Sequence, residues 1–76
     1  MTTLVDTVAE RRRLALQPAV ARAVREAAGV SQQDVAAELG VHRVTIGRWE
    51  SGRRRPTGEQ LRRYAHLIDE LKRVSA

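Results

Sequence analysis

The chain has 76 residues, about half of the ~150 residues of a typical domain, so it forms one small domain that needs almost every apolar residue for its core. It has no cysteine, which excludes a disulfide scaffold and a thiolate metal site, and its histidines His42 and His66 have no further ligand at metal-binding spacing, so no metal or cofactor is predicted. No apolar run approaches the ~20 residues of a membrane span, and acidic residues near the start argue against a signal peptide, so we expect a soluble, cytoplasmic protein with no membrane contact.

The positive charge is concentrated in the second half of the chain. The formal net charge is +5, and residues 1–38 contribute nothing to it because five arginines balance five acids. Residues 40–63 contain seven arginines against two acids. A one-sided basic field favours a polyanionic partner, with nucleic acid ahead of an anionic membrane.

The first two predicted elements are helices. Residues 4–16 have an amphipathic pattern, with Thr3 as a candidate N-cap and Asp6 three residues later. Pro18 fits either the first turn of a new helix or a kink in a long one. Apolar residues then recur at helical spacing as far as Gly29, which can end a helix in the left-handed conformation.

Two short helices are predicted in the middle of the chain. Ser31 is expected to be an N-cap, because an aspartate three residues later completes a capping box. Gly40 ends this helix after about two turns. His42 or Arg43 begins the next helix, and Gly52 ends it.

The last predicted helix extends almost to the end of the chain. Thr57 is the expected N-cap, and Gln60 is expected to complete a second capping box. An apolar stripe at helical spacing consists of Leu61, Tyr64, Ala65, Ile68, Leu71 and Val74. Because no stretch alternates with period two, the predicted fold is all-α: a compact four- to five-helix bundle, with an N-terminal extension over residues 1–17 and the main domain over residues 18–76.

The two short helices have the dimensions of a helix-turn-helix. A small residue, Ala36, stands where the helices would cross, and Gly40 allows a sharp turn. Val41 and Ile46 can fill the angle between the helices. The remaining outward positions of the second helix are small or basic, which is typical of a helix that lies in a groove: Arg43, Val44, Gly47, Arg48 and Ser51.

These residues resemble the helix-turn-helix family of Cro and lambda-type phage repressors. The matching residues are Val24-Arg25, the stretch from Gly29 to Val41, Thr45-Ile46, Trp49-Glu50-Ser51-Gly52, Arg54, Pro56 and Leu61. The resemblance covers about residues 20–70. It implies a lambda-repressor-like bundle with a positioning helix at about 31–39, a recognition helix at about 42–51 and a last helix at about 57–74.

The resemblance also implies roles for individual residues in binding double-stranded DNA. Base contacts are implied for His42, Arg43, Val44 and Arg48. Phosphate contacts are implied for Gln32, Gln33, Thr45, Arg53, Arg54 and Arg55. An internal ion pair is implied for Arg25 and Glu50, and Trp49 is expected in the core.

Three features depart from the family pattern. His42 stands where serine or threonine is usual. Gly47 lies within a helix, at a cost of about 1 kcal/mol relative to alanine, and it indicates either close approach to DNA or an exposed position without a specific role. The chain also has an extra N-terminal segment, and its last helix continues past Leu67.

The predicted function is a sequence-specific transcriptional regulator, most simply a repressor, with the arginines of residues 40–63 providing affinity for phosphate. A weak homodimer on an inverted-repeat operator is expected. Its candidate seam is Leu67, Leu71 and Val74, and Leu4, Val5 and Val8 could serve instead or cover that seam within one chain. The alternative is an antitoxin or adaptor whose last helix binds a partner protein. No constellation of residues supports catalysis, so the chain is not expected to be an enzyme. The chain is either a whole regulator or the DNA-binding part of a longer one.

Overall fold

A computed structural model of the chain describes residues 3–75, including all their side chains except those of residues 11–15. The described part forms five α-helices and no strand: α1 (Leu4–Ala15), α2 (Pro18–Ala27), α3 (Gln32–Leu39), α4 (Arg43–Ser51) and α5 (Gly58–Val74). The prediction of an all-α bundle is therefore confirmed. Among these helices, none is both long and apolar enough to cross a bilayer.

The first two helices begin where the sequence predicts. The backbone N–H of Asp6 donates to the Thr3 hydroxyl at 3.1 Å, and the Thr3 N–H donates to the Asp6 carboxylate at 3.3 Å. Pro18 is the first residue of a separate helix rather than a kink, because the chain leaves the helical conformation between α1 and α2. Gly29 follows α2 with a φ of +72°, a conformation that glycine adopts without strain.

Helix α3 begins with a complete capping box. The Asp34 N–H donates to the Ser31 hydroxyl at 3.0 Å, and the Ser31 N–H donates to the Asp34 carboxylate at 2.9 Å. This backbone hydrogen bond, with a further one from the Ser31 side chain, lowers the pKa of Asp34 below its usual value. Gly40 ends the helix with a φ of +69°.

The predicted capping box at the start of α5 is wrong. Thr57 occupies the N-cap position, but its side chain makes no capping hydrogen bond. Gly58, the next residue, has a φ of +57°, which lies outside the right-handed helical region. The first turn therefore does not place its backbone N–H groups where the Thr57 hydroxyl could accept from them. Glu59 instead pairs with Arg62 at 2.8 Å, and this contact lowers the pKa of the Glu59 carboxyl.

The core lies where α2, α3, α4 and α5 meet. Its fully buried members include Ala36 and Ile46, as expected for the crossing of α3 and α4. Trp49 is also buried, so the prediction that it is a core residue is confirmed. Its ring centroid is 4.8 Å from that of Tyr64, and the two rings are tilted by 47°, within the range of favourable aromatic pairs.

The apolar stripe of α5 is divided between the core and the surface. Leu67 and Leu71 are half-buried and pack against the core, so the predicted seam with Val74 is partly used within one chain and stays a prediction. Helix α1 packs on α5, and Leu16, which follows α1, packs against the same core. Leu61 and Val74 lie at the surface, with 38% and 79% of their surface exposed.

Candidate nucleic-acid interface

The turn between α3 and α4 fixes the angle at which α4 leaves the body of the protein. The N–H of Val41 donates to the Ala36 carbonyl at 3.0 Å across the left-handed Gly40. Ala36 is completely buried, so the two helices approach closely at that point. The result is a rigid pair of short helices with one side of α4 directed to solvent.

His42 caps the start of α4. Its Nδ1 accepts a hydrogen bond from the Val44 N–H at 3.1 Å, so an imidazole performs the role that a serine or threonine hydroxyl usually has. A neutral ring that accepts at Nδ1 has its hydrogen on Nε2. That N–H can donate to a partner beyond the helix end.

The outward side of α4 forms a shallow concave surface of about 360 Å³ with the start of α3 and the following loop. We call it the recognition surface, and it is lined by Gln32, Arg43, Val44, Gly47, Arg48, Ser51 and Arg53. Three of its side chains are arginines, and Val44 adds an exposed apolar contact. Such a mixture of guanidinium groups and a branched apolar group matches the donors and acceptors and the methyl groups of a DNA major groove.

Behind this surface, a buried ion pair joins α2 to the end of α4. Arg25 Nε lies 2.6 Å from Glu50 Oε2, and Arg25 Nη2 lies 3.1 Å from Glu50 Oε1. The two side chains are only 11% and 4% exposed. Arg25 also donates to the Val30 carbonyl at 2.9 Å. The hydrogen bond to Glu50 raises the pKa of the Arg25 guanidinium, so this guanidinium stays charged at physiological pH.

Gln32 connects this ion pair to the recognition surface. Its Nε2 donates to Glu50 Oε1 at 3.0 Å, which fixes the orientation of the amide. A methyl group at Gly47 would meet only this amide, at 3.9 Å and 4.0 Å, which is ordinary contact. The fold therefore does not require glycine at position 47.

The arginines of residues 40–63 do not act as one group. Arg53 lines the recognition surface, whereas Arg54 and Arg55 line a different cleft, bounded by α1 and α5. Arg62 is paired with Glu59. Arg63 donates to the carbonyls of Glu38 and Leu39 at 3.1 Å and 3.2 Å, so it caps the end of α3.

Within this stretch, the side chains of Arg62 and Arg63 are therefore engaged with other groups of the protein. The capping role of Arg63 was not anticipated, because the two residues it bonds lie 24 and 25 positions earlier in the chain. Of the other implied phosphate contacts, Gln33 is exposed on α3 and Thr45 is half-buried in the first turn of α4. Neither lines the recognition surface.

A short helix that is packed on one side, capped by a left-handed glycine turn and basic on the other side defines a helix-turn-helix protein. A family model described as a helix-turn-helix matches residues 22–71, about two thirds of the chain. The chain belongs to this family, the helix-turn-helix proteins of the Cro and lambda-repressor type, whose members are DNA-binding regulators. No curated protein and no solved structure gives a match.

Proposed function

We propose that the protein is a sequence-specific transcriptional repressor that places α4 in the major groove of its operator. The observation that supports this most directly is the recognition surface, where exposed arginines stand on a helix whose other side is held by the buried pair of Arg25 and Glu50. A fixed helix can present the same side chains to every site, which is what base discrimination requires.

The proposed base contacts come from the start and middle of α4. Arg43 and Arg48 can each form a bidentate contact with guanine O6 and N7, and the Val44 side chain can contact a thymine methyl group. His42 lies at the helix N-terminus, where its Nε2–H is available to a neighbouring base or phosphate.

The proposed phosphate contacts flank the recognition surface and orient the protein on the duplex. They come from Gln32, Gln33, Thr45, Arg53, Arg54 and Arg55. The Gln32 amide is oriented by Glu50, so its remaining N–H is available to a phosphate oxygen at no cost in side-chain freedom. Arg53 stands at the edge of the recognition surface, where the DNA backbone would pass.

We further propose that two copies bind an inverted repeat, because one short helix reads only a few base pairs. Two recognition helices that are ~34 Å apart would occupy successive major grooves. The candidate surfaces for pairing are the seam of Leu67, Leu71 and Val74, of which Val74 is 79% exposed, and the apolar side of α1, where Leu4 and Val5 are 78% and 76% exposed.

The experiment that tests this function is selection of bound duplexes from a random pool, followed by titration of the selected site against Arg43→Ala and Arg48→Ala. Each substitution should cost about 1–3 kcal/mol of binding free energy and relax the preference at particular base pairs. Arg73→Ala, on the far end of α5, is the matched control and should change neither. Selection of no common sequence, or equal losses for all three variants, contradicts the proposal.

A second experiment measures how affinity depends on salt. Each neutralised phosphate should contribute about −0.9 to the slope of log affinity against log salt concentration. Arg53→Gln should make this slope less steep while leaving the selected sequence unchanged. A flat titration between about 50 and 200 mM salt contradicts nucleic-acid binding itself.

The exposed apolar side of α1 also supports a second candidate function, in which the protein is an antitoxin or adaptor. Leu4 and Val5 would then contact a partner protein of another sequence instead of a second copy. The oligomeric state on DNA distinguishes the two functions. A dimer on an inverted repeat that Leu4→Glu disrupts favours the repressor, whereas a monomer on a single half-site favours the adaptor.

A further inference from the structure

A second cleft lies on the opposite side of the loop that follows α4. It is bounded by α1, the start of α2, the loop at residues 53–57 and α5, and its volume is about 650 Å³. Its apolar walls include Leu16, Pro18, Trp49, Pro56, Leu61 and the ring of Tyr64. We call it the aromatic cleft. Its volume lies within the ~300–1,000 Å³ range of small-molecule sites, which are also mostly apolar with a few polar groups.

The polar groups of the aromatic cleft are mainly cationic. Arg54, Arg55 and Arg62 lie along it. Arg62 is neutralised by Glu59 at 2.8 Å, whereas the side chains of Arg54 and Arg55 make no hydrogen bond or ion pair with any described residue. Gln17 adds an uncharged polar side chain. No carboxylate is among the described lining residues, so the cleft favours an anion.

We infer that the aromatic cleft binds a small organic monocarboxylate with an apolar body, such as a medium-chain acyl chain. The apolar part would lie against Trp49, Pro56 and Leu61, and the carboxylate would meet the guanidinium groups of Arg54 and Arg55. Arginine suits this role because its planar donors match both carboxylate oxygens at once. A neutral ligand of the same shape would leave those two charges without a partner.

Occupancy of the cleft regulates DNA binding, and this step rests on the proposed function. Arg54 and Arg55 belong to the loop that also supplies Arg53 to the recognition surface. The backbone N–H groups of Arg53 and Arg54 both donate to the Arg48 carbonyl, at 3.0 Å and 3.3 Å, so the loop is attached directly to the recognition helix. A carboxylate bound to Arg54 and Arg55 withdraws these two arginines from the DNA backbone and weakens operator binding.

The first experiment uses the protein without DNA and takes octanoate as the probe. Trp49 is the only tryptophan in the chain and lines the cleft, so its fluorescence reports occupancy directly. Octanoate should change this fluorescence saturably and raise the melting temperature. Octan-1-ol, which has the same apolar body without the charge, should bind about tenfold more weakly. Equal binding of the alcohol and the carboxylate, or no saturable signal, overturns the inference.

Matched variants locate the site. Ala9→Phe fills the cleft from α1 at an exposed position, and Ala23→Phe places the same ring on the exposed side of α2, outside the cleft. Octanoate affinity should fall about tenfold or more in the first variant and stay unchanged in the second. Melting curves recorded without octanoate serve as the check that both variants fold. Equal affinities in the two variants place the ligand elsewhere and overturn the inference.

The charged contacts are tested in the same way. Arg54→Gln combined with Arg55→Gln should weaken the binding of octanoate by about tenfold and leave the binding of octan-1-ol unchanged. Arg73→Gln removes one charge from the end of α5 and should leave both ligands unaffected. Loss of octanoate binding in Arg73→Gln as well would show a general charge effect and would overturn the assignment of these contacts.

The regulatory step is tested last, with operator DNA present. Octanoate should weaken DNA binding of the natural sequence several-fold and have no effect on Ala9→Phe. If octanoate saturates the cleft but no DNA is bound at any salt concentration, the ligand site stands and the proposed function fails. If DNA binds and octanoate does not, the cleft inference fails alone. If both bind without affecting each other, the regulatory step is overturned.

Discussion

The two sides of α4 have different compositions and different tasks. On the inner side Ile46, Trp49 and Glu50 are buried, and each contacts another helix or the core. On the outer side Arg43 and Arg48 are exposed, and their side chains form no hydrogen bond or ion pair within the described part of the chain. The residues that fix the helix in the fold are thus separate from those that can specify a DNA sequence. We therefore expect single substitutions at outer positions to lower stability less than single substitutions at inner positions.

The inner side contains one element that is neither apolar nor exposed, namely the carboxylate of Glu50. It accepts hydrogen bonds from Arg25 on α2 and Gln32 on α3, so it joins three helices at one point. Gln32 also lines the recognition surface. This carboxylate is therefore the place where the two sides of α4 are coupled.

The largest effect is expected from breaking the buried ion pair. Glu50→Gln or Arg25→Met should each lower the free energy of unfolding by about 3 kcal/mol, because the remaining charge stays buried without its partner. Replacing both residues by apolar ones, Arg25→Met with Glu50→Leu, should recover much of this loss. Urea denaturation measures all three variants.

The chain provides its own control for that experiment. Arg22 and Glu26 on α2 form a pair of similar length, 2.8 Å, but both side chains are more than half exposed. Arg22→Met should change stability by less than about 1 kcal/mol. If the buried and the exposed pair were equally sensitive, Glu50 would not be the point that joins the helices.

The next largest effects are expected from Gly47→Ala, which should increase stability but decrease operator affinity. Gly47→Ala should stabilise the fold by about 1 kcal/mol, since alanine favours a helix and the added methyl group meets only the Gln32 amide. The same methyl group projects from the recognition surface and should weaken operator binding. Gly40→Ala is the contrasting control: its φ of +69° makes alanine strained, so stability should fall. Increased stability with unchanged DNA affinity would show that the DNA does not approach position 47.

A smaller gain in stability is expected from Tyr64→Phe. The Tyr64 hydroxyl is buried and has no hydrogen-bond partner among the described residues. Burial, with a contribution from the charge of Glu50, raises the pKa of Tyr64 to about 12. Removing an unsatisfied hydroxyl should leave the protein as stable as before or more stable by roughly 1 kcal/mol. Tyr64→Leu, which also removes the ring contact with Trp49, should instead be destabilising in thermal melts. A marked loss in Tyr64→Phe would reveal a partner for the hydroxyl.

The smallest effect concerns pH and the start of α3. Because the folded-state pKa of Asp34 is lowered, its contribution to stability is present above the unfolded pKa and disappears as the pH falls through the folded value. Asp34→Asn should therefore flatten the decline of stability between about pH 5 and pH 2. Ser31→Ala keeps the backbone donor, which is the larger cause of the shift, and should retain most of that decline. Parallel denaturation curves for Asp34→Asn and the natural sequence would contradict this assignment.

Local sequence determined most of the helix boundaries. Ser31 with Asp34, Pro18 and the glycines at positions 29, 40 and 52 act through their own backbone conformation or through a side chain three residues away. Their effects need no distant contact, so the pattern alone predicts them. The all-α class, the two short helices and the burial of Trp49 follow from the same local signals and from the family resemblance.

Only the tertiary structure decided which of several equivalent residues face each surface. Arg53 and Arg54 are neighbours in the chain, but they line different clefts because the loop is attached to Arg48 and passes between α4 and α5. Arg63 caps a helix that ends 24 residues earlier. Leu67 and Leu71 are half-buried against the core, which no periodicity within α5 alone can reveal. Helical spacing shows which residues share one side of a helix. Whether that side is buried depends on which other helix packs against it.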